Sequence, residues 1–195
     1  GPAGLRGAAA CCGLRVLCAQ PAFGTWCTRL GLCCAVLYSA RLKRFGLGDL
    51  LTVLSFGVGL TVGAYGVQIR PLTLHGCLVA AFYSIPVCML VDAILHANNL
   101  RDAPNDRAAR GRTIATTLSP AGGQRLQLFL LFGPLAFVLA TVAAGWLSVW
   151  ALGTMVATPL LLRAVRSGSD EGTAQTHLVF GLIYVGTMLI PPFCI

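Results

Sequence analysis

Asp92, Asp102 and Asp106 are half of the six acids in this 195-residue chain, and they fall within fifteen positions. Asn98, Asp102 and Asp106 keep an N-x3-D-x3-D spacing. On a helix each step of four advances about 40°, so the three oxygen-bearing side chains share one slowly turning stripe. Such a stripe can hold a divalent cation. Mg²⁺ takes hard oxygen ligands, keeps several waters, and is usually held by one or two carboxylates together with substrate phosphates. Adjacent carboxylates repel each other, and a metal diphosphate bridging them turns that repulsion into coordination. The surrounding arginines would face the same phosphates. The competing reading is a set of solvated loop charges paired with Arg101, Arg107 and Arg110, each pair worth about 0–1 kcal/mol. Pro104 lacks an N–H and disfavours a helical Ala103, so it predicts a break that splits the stripe into two half-turns.

The elements that must position these residues are membrane spans. The chain is 56% hydrophobic and 10% charged, against roughly 25% charged in an ordinary soluble domain, with a mean hydropathy of +0.79. This leaves too little polar surface for a water-exposed fold and excludes a soluble globular enzyme. Stretches close to the roughly 20 residues that cross a bilayer lie at about 47–67, 71–95, 126–146 and 147–164, with shorter ones at about 23–40 and 178–195. The expectation is an all-α, polytopic transmembrane bundle of about six spans. The first is the weakest, because it contains Arg29, and an arginine at a helix centre costs roughly 2.5–3.5 kcal/mol on insertion scales.

With alternating spans, the connections at 41–46, 96–125 and 165–177 share one side. They and the adjoining span ends hold Arg41, Lys43, Arg44, Arg101, Arg107, Arg110, Arg112, Arg125, Arg163 and Arg166, whereas the opposite side holds little more than Arg70. Cytoplasmic loops carry the Lys/Arg excess, so the acidic stripe is expected to face the cytosol. The net charge of +8 is thus accounted for by loops at a membrane, and its scatter between apolar runs speaks against nucleic acid as a partner. Nine cysteines form no CxxC pair and read as small buried residues rather than a zinc or disulfide framework. Pro86, Pro134 and Pro159 fall inside proposed helices and imply kinks. Gly59, Gly63 and Gly66 would let a neighbouring helix approach closely. His75, His96 and His177 read as structural. No internal repeat and no glycine-rich phosphate loop is present.

The string from Asp92 through His96-Ala97-Asn98-Asn99-Leu100-Arg101-Asp102-Ala103-Pro104-Asn105-Asp106-Arg107 resembles the second aspartate-rich motif of the UbiA superfamily of intramembrane prenyltransferases, and Arg112-Thr113 and Ala115 continue the likeness. Within that superfamily it is similar to the animal members that make menaquinone-type vitamin K, and to bacterial dihydroxynaphthoate prenyltransferases. Leu37-Tyr38-Ser39, followed by Leu42 to Leu50, resembles the family's tyrosine/lysine loop ahead of a glycine-leucine-glycine-acid helix start. The likeness covers roughly 35–195. In this register the six spans correspond to helices 4–9 of a nine-helix fold. Residues 1–22 then form a divergent N-terminal segment, and 23–195 a partial UbiA transmembrane domain.

The resemblance implies that Asn98, Asp102 and Asp106 bind Mg²⁺ together with an isoprenyl diphosphate, with Lys43 and Arg101 on phosphate oxygens. Tyr38 either touches the diphosphate or stabilises an allylic cation, or else anchors the span at the interface. Asp49 is read as a helix cap and Asp92 as a supporting partner of the motif. The implied reaction is Mg²⁺-dependent transfer of the isoprenyl chain to an aromatic quinone precursor of the naphthoquinol type, inside the lipid bilayer of the endoplasmic reticulum or Golgi, with mitochondria as the alternative. One departure stands out: residues 1–34 contain no acid, and the 195 residues hold no second N-x3-D-x3-D. The chain is therefore expected to be a fragment lacking the first aspartate-rich motif, and inactive on its own. The alternatives are a catalytically inactive membrane interaction protein, or transfer to another aromatic acceptor such as a ubiquinone precursor.

Overall fold

The computed structural model describes residues 51–69, 71–109 and 111–190, together with positions 25, 29, 31 and 32. Tyr38, Lys43 and Asp49, and most of the predicted span 23–40, lie outside the described residues. All regular elements among those described are helical. A π-helical segment, Val53–Gly59, runs into α1, Leu60–Gln68. Then follow α2, Leu74–Ala108, the short α3, Ile114–Thr117, and α4, Pro120–Ala143. A 3-10 segment, Val149–Ala157, leads into α5, Thr158–Ser167, and α6 is Asp170–Met188. Three stretches, Leu74–Ala108, Pro120–Ala143 and Val149–Ser167, are long and apolar enough to cross a membrane. The molecule is an integral membrane helical bundle.

Local chemistry sets the ends of these helices. Thr73 caps α2 by accepting from the Gly76 amide at 3.1 Å, and Ser119 and Ser169 cap α4 and α6 in the same way, each at 3.1 Å. Such caps satisfy amide donors that the first turn leaves open. Gly168, at φ 60°, turns the chain between α5 and α6 in a left-handed conformation that glycine adopts without a Cβ penalty. The loop expected at 165–177 therefore contracts to two residues between helices, and the last helix begins at 170, ahead of the span expected from 178. The predicted connection at 96–125 is likewise mostly helical.

Two prolines act differently from their sequence reading. Pro104 does not break α2, which continues to Ala108. It sits exposed on the open side of the helix, so its ring displaces no packed neighbour and water can serve the carbonyl left unpaired one turn back. Pro159 does divide its span: it stands in the first turn of α5, where its missing N–H costs nothing, and the chain before it is wound as 3-10 helix rather than α.

α2 is the centre of the bundle, packing on the π segment, α4 and α6. Leu90, Ala93, Leu131, Val138, Phe180 and Tyr184 form its core. At one end the Tyr184 hydroxyl donates to the Tyr83 carbonyl at 3.0 Å, and Tyr83 in turn donates to the Trp146 carbonyl at 2.9 Å. Phe82 packs there against Phe137 and Trp146. Trp146, Trp150, Leu182 and Val185 are exposed, as suits side chains that face lipid or its interface. The close helix approach falls at Gly57, where a Cβ would overlap the Cys88 side chain, whereas Gly63 has no neighbour within 4 Å among the described residues.

Candidate functional site

With 35 residues at 1.5 Å each, α2 is roughly 52 Å long, well beyond the hydrocarbon core of about 30 Å. Its C-terminal turns, which carry Asn98, Asp102 and Asp106, therefore reach past the apolar layer. There the Arg101 guanidinium gathers three oxygens. Its Nε donates to Asp102 Oδ1 at 3.1 Å, its Nη1 to Asp170 Oδ2 at 2.8 Å, and its Nη2 to Asn98 Oδ1. Asp170 stands in the first turn of α6, where its other oxygen accepts from the Glu171 amide at 3.1 Å. The side chains of Arg101, Asp102 and Asp170 are 56%, 47% and 36% exposed, so these are interfacial pairs, not a dry ionic core.

One cation, the guanidinium, is thus already shared by Asn98 and Asp102. Both oxygens lie on one edge of the same guanidinium, and amide plus carboxylate is a hard donor set that suits Mg²⁺. Asp106 is half-buried one turn further on, with no ion pair among the described residues. Among the described residues no three His, Cys, Asp or Glu side chains are grouped around a cation position. The stripe fits part of a coordination shell, open to waters and phosphate oxygens.

A cavity of about 610 Å³ opens on the other side of α2, between that helix, α4 and the end of α5. Ala97, Leu100, Arg101 and Pro104 wall it, whereas Asn98, Asp102 and Asp106 do not line it. Among the described residues, Arg101 alone joins the acidic stripe to the cavity. Arg107 also borders the cavity, but its guanidinium donates to the carbonyls of Ala115, Thr116 and Leu118 at 3.2–3.4 Å, which commits it to holding α3. His96 is buried and its Nε2 is 3.0 Å from the Gly123 carbonyl, a packing role that agrees with its structural reading.

The described part of the predicted site therefore assembles Asn98, Arg101 and Asp102 and leaves Asp106 adjacent. Asp170 was not anticipated. The signal for it was present: Ser167-Gly168-Ser169-Asp170-Glu171 is a helix stop followed by a capped start with acids in the first turn, on the same side as the acidic stripe.

The sequence profile of the UbiA prenyltransferase family matches residues 3–185. UbiA prenyltransferase domain-containing protein 1 of Mus musculus is 32% identical over 171 residues, covering 83% of this chain and 49% of that protein. The Homo sapiens protein of the same name is 30% identical over 171 residues with the same coverage, and the Drosophila melanogaster homolog is 31% identical over 165 residues, 80% of this chain and 44% of that protein. The chain spans about half the length of the curated relatives it matches. The match reaches into every described helix and is not confined to the acidic stripe, and on that breadth the chain belongs to the UbiA prenyltransferase family.

Proposed function

We propose that the chain forms one acidic half-site of a Mg²⁺-dependent intramembrane prenyltransferase, which moves an isoprenyl chain from its diphosphate to an aromatic acceptor of the naphthoquinol type, as in menaquinone synthesis. The observation that carries this reading is the sharing of one cation by Asn98 Oδ1 and Asp102 Oδ1 at the polar end of α2. Asn98, Asp102 and Asp106 would hold the metal, which when bound supplies positive charge to the diphosphate as it leaves. Arg101 and Lys43 add fixed positive charge on the phosphate side. Tyr38 is assigned to the same substrate. The apolar faces of the spans keep water from the reacting allylic carbon and accept the isoprenyl tail.

All six arginines described between residues 51 and 190 lie on α2, α4 or α5 or their connections, towards the end of the bundle marked by the Arg101–Asp170 pair. This asymmetry supports a cytosolic position for that end, in a membrane of the endoplasmic reticulum or Golgi. A second reading is a membrane interaction protein without turnover.

The test is transfer by the full native chain in nanodiscs, with isoprenyl diphosphates of several lengths and with a naphthoquinol or 4-hydroxybenzoate as acceptor, in Mg²⁺ or EDTA. Mg²⁺-dependent product with the naphthoquinol supports the proposal. Product with hydroxybenzoate alone reassigns the acceptor. Metal-dependent diphosphate binding without turnover gives the interaction protein.

A further inference from the structure

We propose that Asp170 is a positioning residue for Arg101, holding its guanidinium beside the acidic stripe so that it is free to meet a diphosphate once a metal ion occupies the stripe. This rests on the reading of Asn98 and Asp102 as metal ligands. The guanidinium is divided among three oxygens. Nε and Nη2 are spent on Asp102 and Asn98, the two oxygens a divalent cation would need, whereas Nη1 goes to Asp170. A divalent cation placed between those oxygens would sit close to Nε and Nη2 and repel them, so metal binding loosens these two bonds and leaves the one through Nη1 in place.

Asp170 is suited to keep hold of the displaced group. It belongs to a different helix from the motif, and its position is fixed by the Ser169 cap and by the bond from the Glu171 amide to Oδ1. Arg101 also borders the 610 Å³ cavity, so no packed side chain fills the space on that flank of it. With Asp170 in place, two guanidinium nitrogens become available together, in the planar fork that matches phosphate oxygens. Without it, a flexible arginine repelled by the neighbouring metal would leave the site for solvent.

The sign of the effect separates this role from simple charge. Removing the Asp170 carboxylate makes the site more positive, and Coulomb attraction alone would then strengthen anion binding. Loss of positioning predicts the opposite. The experiment uses the full native chain in nanodiscs, with Mn²⁺ binding followed by electron paramagnetic resonance and inorganic pyrophosphate binding followed by calorimetry in saturating Mn²⁺. Asp170→Asn should retain Mn²⁺ binding and the wild-type melting temperature but bind pyrophosphate about two- to five-fold more weakly, the range for an exposed pair. In an Arg101→Gln background, Asp170→Asn should bring no further loss. Pyrophosphate binding equal to or tighter than wild type in Asp170→Asn would overturn the proposal, as would a loss that persists when Arg101 is absent. Failure of the wild-type chain to bind Mn²⁺ at all would instead remove the metal reading on which it rests.

Discussion

Arg101 Nη1 and Asp170 Oδ2 meet at 2.8 Å although 69 positions separate them in the chain. They lie near one end of the antiparallel pair α2 and α6, and the Tyr184 hydroxyl on the Tyr83 carbonyl closes the other end. The two contacts pin the register of these helices on both sides of the apolar core. The polar one is exposed and stabilises little, so the buried tyrosine carries more of the anchoring.

Tyr184→Phe keeps the ring and removes only the hydroxyl, leaving a buried carbonyl partner short of one donor. The expected loss is about 1 kcal/mol, seen as a lower melting temperature in nanodiscs. An unchanged melting temperature would mean that the Tyr83 carbonyl is satisfied by its own helix.

Asp102→Ala and Asp106→Ala should each lower Mg²⁺-dependent transfer by the full native chain about 100-fold or more, with membrane insertion intact. Asp106 has no ion pair among the described residues to lose, so Asp106→Ala should also leave the melting temperature unchanged. Turnover at the wild-type rate in either variant would take that carboxylate out of the metal site.

Lys43→Ala should raise the KM for the isoprenyl diphosphate several-fold with little change in the KM for the acceptor, because it removes a point charge assigned to phosphate oxygens. Steady-state kinetics with each substrate varied in turn separates the two. A selective rise for the acceptor would move Lys43 to the other side of the reaction.

Three of the six expected spans, those on Leu74–Ala108, Pro120–Ala143 and Val149–Ser167, and the acidic stripe were legible in the sequence because hydropathy over some 20 residues and an i, i+4, i+8 spacing are local signals. Helix ends were less so. Gly168 and Ser169 restart the chain after only two residues, so a stretch polar enough to read as loop is the first two turns of α6. Pro104 misled for a different reason: the cost of proline in a helix depends on what its ring and the freed carbonyl meet, which only packing decides. The Arg101–Asp170 pairing was beyond reach, since nothing in either local stretch specifies a partner on another helix. Of the glycine pattern, Gly66 is buried in α1 but Gly63 is open, and Gly57 lay outside the pattern, because the face that α1 and its π-helical lead-in present to α2 depends on their winding.

Gly57 is where that winding matters. A side chain there would run into Cys88 on α2, a buried residue whose thiol is 3.4 Å from the Ser84 hydroxyl. Gly57→Val should therefore destabilise the bundle by about 1–3 kcal/mol through overpacking. Pairing it with Cys88→Ala should recover part of the loss, because the small side chain vacates the volume that valine needs. Melting of the four combinations in nanodiscs gives the coupling directly, and simple additivity would show that the two positions do not meet.

Arg107 offers the counterpart to Arg101, since both are exposed arginines beside the same cavity but only one is joined to the acidic stripe. The Arg107 guanidinium donates to three carbonyls at the end of α3, a four-residue helix held otherwise by the reciprocal Thr113 and Thr116 cap. Arg107→Ala removes these bonds, whose lengths of 3.2–3.4 Å and exposure limit them to about 1 kcal/mol together. Amide exchange over residues 114–118 should then quicken about five-fold, as local opening of this short helix no longer has to break these bonds. Pyrophosphate affinity in Mn²⁺ should stay within two-fold of wild type, unlike the loss expected for Arg101→Gln. A large fall in pyrophosphate affinity with unaltered exchange would reverse the two assignments and make Arg107 the residue that meets phosphate.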